Sequence, residues 1–186
     1  DGVPVSGQPA TLNDSFGAVP VGRATTTAVT FFETNRRTSY SQQFNFGIQR
    51  ELGAGMAVDI SYLGNLTRKL PSPNLPINQI RPELLGPAAN QRLRPYPQFS
   101  NVSLVFPTLG VSSYHAGVLR LELRFSGGFN LLSTYTWAKF LNNTDEGGSA
   151  VGAENSYSNY YDRRPDWGPS TNDIRHRFTL SSVYEI

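Results

Sequence analysis

Histidine, cysteine and acidic side chains are where chemistry would first be sought. The 186-residue chain has two histidines and no cysteine. Disulfides, thiol chemistry and cysteine-ligated metals are excluded. His115 and His176 are too few for a histidine-built metal centre, and no further ligands stand at useful spacing. His115 follows Tyr114, and His176 lies between Arg175 and Arg177, each at the end of a strand-like pattern. Both are read as interfacial side chains. No Ser-His-Asp pattern supports nucleophilic catalysis. Gly147-Gly148 precedes no Lys-Ser/Thr pair, so a phosphate-cradling loop is missing. An enzyme is not expected, and neither a metal nor a cofactor is assigned.

Two other groups of residues stand out. Asp59, Arg120, Glu122 and Arg124 fall on the polar side of alternating segments. They read as the lining of a hydrophilic lumen, where ordinary solvation is the simplest role. The second group lies in 141–173. It holds the acids Asp145, Glu146, Glu154, Asp162 and Asp166, partly offset by Arg163 and Arg164. Tyr157, Tyr160, Tyr161 and Trp167 are its candidate ligand-binding residues, for a carbohydrate, a peptide or Ca²⁺ held by oxygen ligands. EF-hand spacing is absent, and a solvated loop is the simpler reading. The segment 65–112 has the opposite bias: Arg68, Lys69, Arg81, Arg92 and Arg94 against Glu83. Two loops of opposite sign are expected to pack as a lid.

The elements positioning these residues show period-two alternation. From Tyr40 to Leu52, Phe44, Phe46 and Ile48 oppose Gln43, Asn45, Gly47 and Gln49. After Gly53-Ala54-Gly55, Met56, Val58, Ile60 and Tyr62 oppose Ala57, Asp59 and Ser61. A third strand places Leu119, Leu121, Leu123 and Phe125 against Val118, Arg120, Glu122 and Arg124. After Ser126-Gly127-Gly128, a fourth places Phe129, Leu131, Tyr135 and Trp137 on one face. A fifth begins near Ile174 with Phe178, Leu180 and Tyr184. None of the 13 prolines falls in these strands, consistent with the ladder donor that proline lacks. Two hairpins of similar design follow one another as a meander.

Several features favour a membrane wall over a soluble sandwich. The strands are about twice the usual soluble length of about 5–6 residues. Tilted by about 40°, 12 residues span about 30 Å, enough for a bilayer's apolar band and its interfaces. Tyr40, Tyr62, Tyr114 and Trp137 lie near the long loops, and Phe125, Phe129 and Tyr184 near the short turns, as two aromatic girdles. Short turns alternate with long loops. Charged residues make up 16% of the chain, against roughly 25% in soluble domains. A net charge of +2 gives no basis for nucleic-acid binding. No apolar run is long enough for a membrane helix. Five strands cannot close a barrel, since the smallest have about eight. With Asp1 in place of an initiator Met and Ile186 inside a strand pattern, the chain is expected to be a piece of a longer polypeptide.

An ordered series of motifs resembles a known family. It comprises Tyr40-Ser41-Gln42-Gln43-Phe44-Asn45-Phe46-Gly47-Ile48-Gln49-Arg50, Val58-Asp59-Ile60-Ser61-Tyr62-Leu63-Gly64, Pro95-Tyr96-Pro97-Gln98-Phe99 and Ser113-Tyr114-His115-Ala116. It continues through Leu121-Glu122-Leu123-Arg124-Phe125, Ser133-Thr134-Tyr135-Thr136-Trp137-Ala138-Lys139, Asp173-Ile174-Arg175-His176-Arg177-Phe178 and Val183-Tyr184-Glu185. Together they resemble the barrel of Oar-like TonB-dependent receptors, over roughly three quarters of the chain. The resemblance implies a many-stranded outer-membrane barrel, an N-terminal plug, and coupling to an energised TonB complex. The plug, the TonB-contacting segment and the terminal aromatic usual in such barrels are not visible in this sequence.

The expected fold is therefore all-β: an antiparallel meander of long strands forming a partial transmembrane β-barrel. Hairpins are placed at 40–64 and 113–140 and a last strand at 174–186, with extracellular loops at 1–39, 65–112 and 141–173. The expected location is the outer membrane of a Gram-negative bacterium. Expected partners are outer-membrane lipid, the rest of the barrel and plug and, by resemblance, the TonB complex, with uptake or export of a ligand. The alternative is a soluble all-β module of the carbohydrate-binding sandwich type. It requires Leu119, Leu121, Leu123, Leu131 and Tyr135 to pack against a second sheet.

Overall fold

The computed structural model describes residues 28–53, 55–125, 127–144 and 156–184. These residues form strands, short 3-10 turns and loops, with no α-helix among them. They belong to two compact units.

The larger unit is built on long antiparallel strands. They are β2 (Tyr40–Gly53), β3 (Met56–Leu70), β6 (Gly110–Arg124), β7 (Phe129–Asn142) and β9 (His176–Tyr184), paired in that order. A two-residue strand, β8 (Gly168–Pro169), pairs with the end of β7. The sheet does not close on itself among the described residues. Its edge strands β2 and β9 are exposed along their whole length.

Register turns the alternation into two chemically different faces. One cross-strand row runs Phe46–Tyr62–Gly117–Trp137–His176 and the next Ile48–Ile60–Leu119–Tyr135–Phe178. These side chains face open space: Phe46 is 69% exposed, Ile60 61% and Phe178 63%. Leu119 and Tyr135 are also exposed, and Leu121, Leu123 and Leu131 are half-buried. The sandwich alternative needed these residues in a dry interior. None of the five is buried, which removes it.

Two glycines fix the hairpin and the face. Gly55 has φ +73°, and a Cβ there would lie 2.2 Å from the Arg124 carbonyl oxygen. Glycine alone meets both demands, and its own carbonyl accepts from Arg124 N–H at 2.8 Å. Gly64 lies opposite Phe44, whose ring covers it so closely that a Cβ would fall 2.1 Å from Cε2. That is an aromatic side chain filling the gap left by a strand glycine.

Strand limits differ from the sequence reading. β3 continues to Leu70 rather than stopping at Gly64, because 65–68 pair on both sides, with 40–43 and 111–114. Polar side chains tie that extension down: Ser41 Oγ donates to Asn65 Oδ1 at 2.6 Å, and Ser39 Oγ to the Lys69 carbonyl at 2.6 Å. β9 starts at His176, and the Asp173 carboxylate accepts from Phe140 N–H just before it, at 2.7 Å. Tyr114 does not join the aromatic girdle. It pairs with Asn65 and Phe140 on the face that carries Arg120, because it is an even number of residues from Arg120.

The smaller unit contains strands that the sequence reading treated as loop. β1 (Ala28–Phe32) runs parallel to β5 (Asn101–Val105), and β4 (Leu75–Pro76) pairs antiparallel with β5. Leu75, Val102, Pro107 and Tyr157 are buried there, with Asn78 fully enclosed.

Candidate functional site

The polar face of the large sheet brings the four charged candidates together. Asp59 and Arg120 are direct cross-strand partners in the row Gln49–Asp59–Arg120–Thr134–Thr179. Glu122 stands between two arginines of its own strand. It accepts from Arg124 Nε at 2.9 Å and Nη2 at 2.7 Å, and from Arg120 Nη2 at 3.5 Å. The two arginines are more than half exposed. Water screens such pairs, so their worth lies in shaping a charged surface. Near the glycine turns, Gln49, Glu51, Glu122 and Arg124 line a cleft of about 210 Å³.

The opposite face carries both histidines, each bonded to a tyrosine. Tyr62 Oη lies 2.7 Å from His115 Nδ1, with the rings 17° from parallel. Tyr135 Oη lies 2.8 Å from His176 Nδ1, with the rings 21° from parallel. In both pairs the tyrosine reaches diagonally to the neighbouring strand, so one arrangement occurs twice across the sheet. No group of three or more histidine or acidic side chains placed to hold a metal ion occurs among the described residues.

In the smaller unit, the two long connections meet through uncharged groups. Gln79 accepts from Tyr160 N–H at 2.8 Å and donates to the Ser158 carbonyl at 3.3 Å. Its own carbonyl accepts from Tyr161 Oη at 3.1 Å. Tyr157 N–H donates to the Asn74 carbonyl at 2.9 Å. Asn78 closes a second clamp, donating to the Tyr96 and Phe99 carbonyls and accepting from Tyr96 N–H. The two loops do come together as expected, and the described bonds between them run through amide, hydroxyl and carbonyl groups. Arg94 is occupied by the Asn78 and Ser100 carbonyls, and Arg164 by neighbouring Asp162. Arg164 binds Asp162 bidentately at 2.9 Å, and this hydrogen bonding holds the Asp162 carboxyl at about 2, below the ordinary 3.8.

The aromatic candidates separate. Tyr157 is only 2% exposed and belongs to the packed interior, so unlike the other three it is not open to a ligand as the sequence reading expected. Tyr160 and Tyr161 remain open and meet edge-on at 5.0 Å. Trp167 is exposed but belongs to the larger unit. Asp145, Glu146 and Glu154 lie outside the described residues. Beside the Gln79 clamp, Pro76, Ile80, Pro82, Leu85, Arg94 and Ser158 line a cleft of about 500 Å³. Sequence reading missed Asn74, Asn78 and Gln79. A lone amide in a loop carries no spacing signal that would single it out.

Long strands with one exposed apolar face and one charged face are the pattern of a membrane-crossing β-wall. Residues 2–186 match the family described as outer membrane beta barrel domain. The chain belongs to that family. No curated protein and no solved structure matches it. The barrel domain resides in the outer membrane of a Gram-negative bacterium, in association with outer-membrane lipid. In a barrel domain the exposed row from Ile48 to Phe178 is accounted for as a lipid-facing surface.

Proposed function

We propose that this barrel domain forms part of the wall and extracellular loops of a TonB-dependent receptor of the Oar-like kind, which takes up or exports a ligand across the outer membrane. The observation that carries the reading is the charged ladder of Asp59, Arg120, Glu122 and Arg124 on the face opposite the apolar rows. Charged side chains on the inner side of a large barrel border water or a plug. The exposed edges of β2 and β9 fit a wall that continues through further strands, because unpaired backbone groups are not tolerated in lipid. On the extracellular side, Tyr160, Tyr161 and the cleft beside Gln79 are the ligand-facing candidates, with Trp167 as a further exposed aromatic. Energy coupling through TonB rests on the ordered motifs shared with that family. The role proposed is transport rather than catalysis, and no nucleic acid is involved.

The test uses the full-length parent protein in its own host. Accumulation of labelled oligosaccharides and peptides is compared in wild-type cells, cells lacking the gene and cells depleted of TonB. Accumulation lost in both altered strains supports the reading. An intact barrel with no gene-dependent transport of any probe, or transport indifferent to TonB, refutes it.

A further inference from the structure

The charges on the lipid side of the large sheet are of one sign. Following the register from β2 to β9, no Asp or Glu falls on that face. The acids Glu51, Asp59 and Glu122 all fall on the other. The lipid-side bases lie toward the strand ends: Arg50 near the glycine turn, and Arg68 and Lys139 toward the long connections. Arg68 is engaged, donating to the Thr67 and Ser112 carbonyls. Lys139 is exposed and stands directly across from His115.

His115 is held in place. Its Nδ1 shares a hydrogen bond with Tyr62 Oη, and its ring packs near Phe44 at 6.4 Å. When the tyrosine hydroxyl donates to Nδ1, the proton of the neutral ring sits on Nε2, which becomes a donor. Lys139 and His115 are cross-strand partners, so an ammonium and an imidazole N–H then stand side by side one row beyond Trp137, toward the long connections. The occupant at that depth is a lipid headgroup, because the next rows inward carry Tyr62 and Trp137, then Leu119, then Leu121. A cation beside an N–H donor, with no acid on that face, complements an anion. Snorkelling lysines and aromatic anchors sit at such margins.

From this we propose that Lys139 and His115, positioned by Tyr62, bind the phosphate group of an outer-leaflet glycolipid. The inference rests on the reading of the long connections as extracellular and of this face as lipid-facing. Lys139 supplies the charge. The His115 N–H supplies direction.

The test uses the full-length protein refolded in phosphatidylcholine vesicles that carry either phosphorylated lipid A or lipid A stripped of its phosphates. Co-purified glycolipid is quantified by mass spectrometry. Phosphorylated lipid is expected to be retained in preference, and Lys139→Gln to reduce that retention about fivefold, the effect of one basic residue at an anionic surface. His115→Gln is expected to reduce it in the same direction, and Lys139→Arg to preserve it. Folding, scored by heat-modifiable gel mobility, is expected to be unchanged in all variants. Equal retention of the two lipids, or full retention by Lys139→Gln, overturns the proposal. Displacement of the lipid by inorganic phosphate at equal concentration overturns it as well, because the site would then recognise free anion. Failure of the unmodified protein to insert would instead refute the lipid-facing assignment on which the proposal rests.

Discussion

The assignment of the two faces can be tested by placing the same charge on each. Leu121 lies in the lipid-side row Arg50–Val58–Leu121–Ser133–Leu180. The aromatic rows that bracket it pass through Phe129 and Trp137 on β7. Eight residues at about 3.3 Å span roughly 26 Å along the strand, or roughly 20 Å of membrane depth at a tilt of about 40°. Leu121 pairs with Ser133, midway between those rows, and so sits near the bilayer centre. An arginine there is expected to cost about 2–4 kcal/mol, a roughly 30- to 900-fold loss in the folding equilibrium. Ser61→Arg is the control. Ser61 lies on the opposite face, between Gly47 and Val118 and two residues from Asp59, where a guanidinium stays hydrated and gains a nearby acid. Its expected cost is below about 0.5 kcal/mol, as for ordinary surface substitutions. Both variants of the full-length protein are refolded in vesicles and titrated with denaturant. Equal destabilisation by the two arginines, or a larger effect at Ser61, would refute the face assignment.

Further outcomes follow from single contacts. Gly55→Ala forces a side chain into φ +73° and against the Arg124 carbonyl, so a loss of about 1–3 kcal/mol is expected in the same titration. Gln79→Ala removes the amide that accepts from Tyr160 N–H and donates to the Ser158 carbonyl, and amide exchange at Tyr160 is expected to quicken with little change in overall stability. The Asp162 pKa is lowered, so the stabilising pairing with Arg164 is fully present above the ordinary 3.8 and is lost as pH falls through about 2. A carboxyl NMR titration of Asp162 should show that midpoint, and Arg164→Ala should return it toward the ordinary value.

Much of the large sheet was legible in the residues themselves. A strand side chain alternates faces whatever its partners, so Ile48, Ile60, Leu119 and Phe178 could be sorted from Asp59, Arg120 and Glu122 before any pairing was known. The glycine turns were equally local, since a positive φ is a property of one residue. The same parity rule places Tyr114 with Arg120, and a girdle assigned by proximity to the loops ignored it.

What tertiary structure alone decided is non-local. β3 meets β6 across a connection that itself folds, and the ladder extends β3 to Leu70 through the mostly polar run Asn65-Leu66-Thr67-Arg68-Lys69. The loops meet through Asn74 and Gln79, Asn78 ties its own connection together, and Tyr157 is buried. Backbone hydrogen bonds are available to every residue type, and a single amide can satisfy several partners distant in sequence. Composition and alternation therefore determine which side of a strand is apolar. Only the folded chain decides which carbonyl each amide finds.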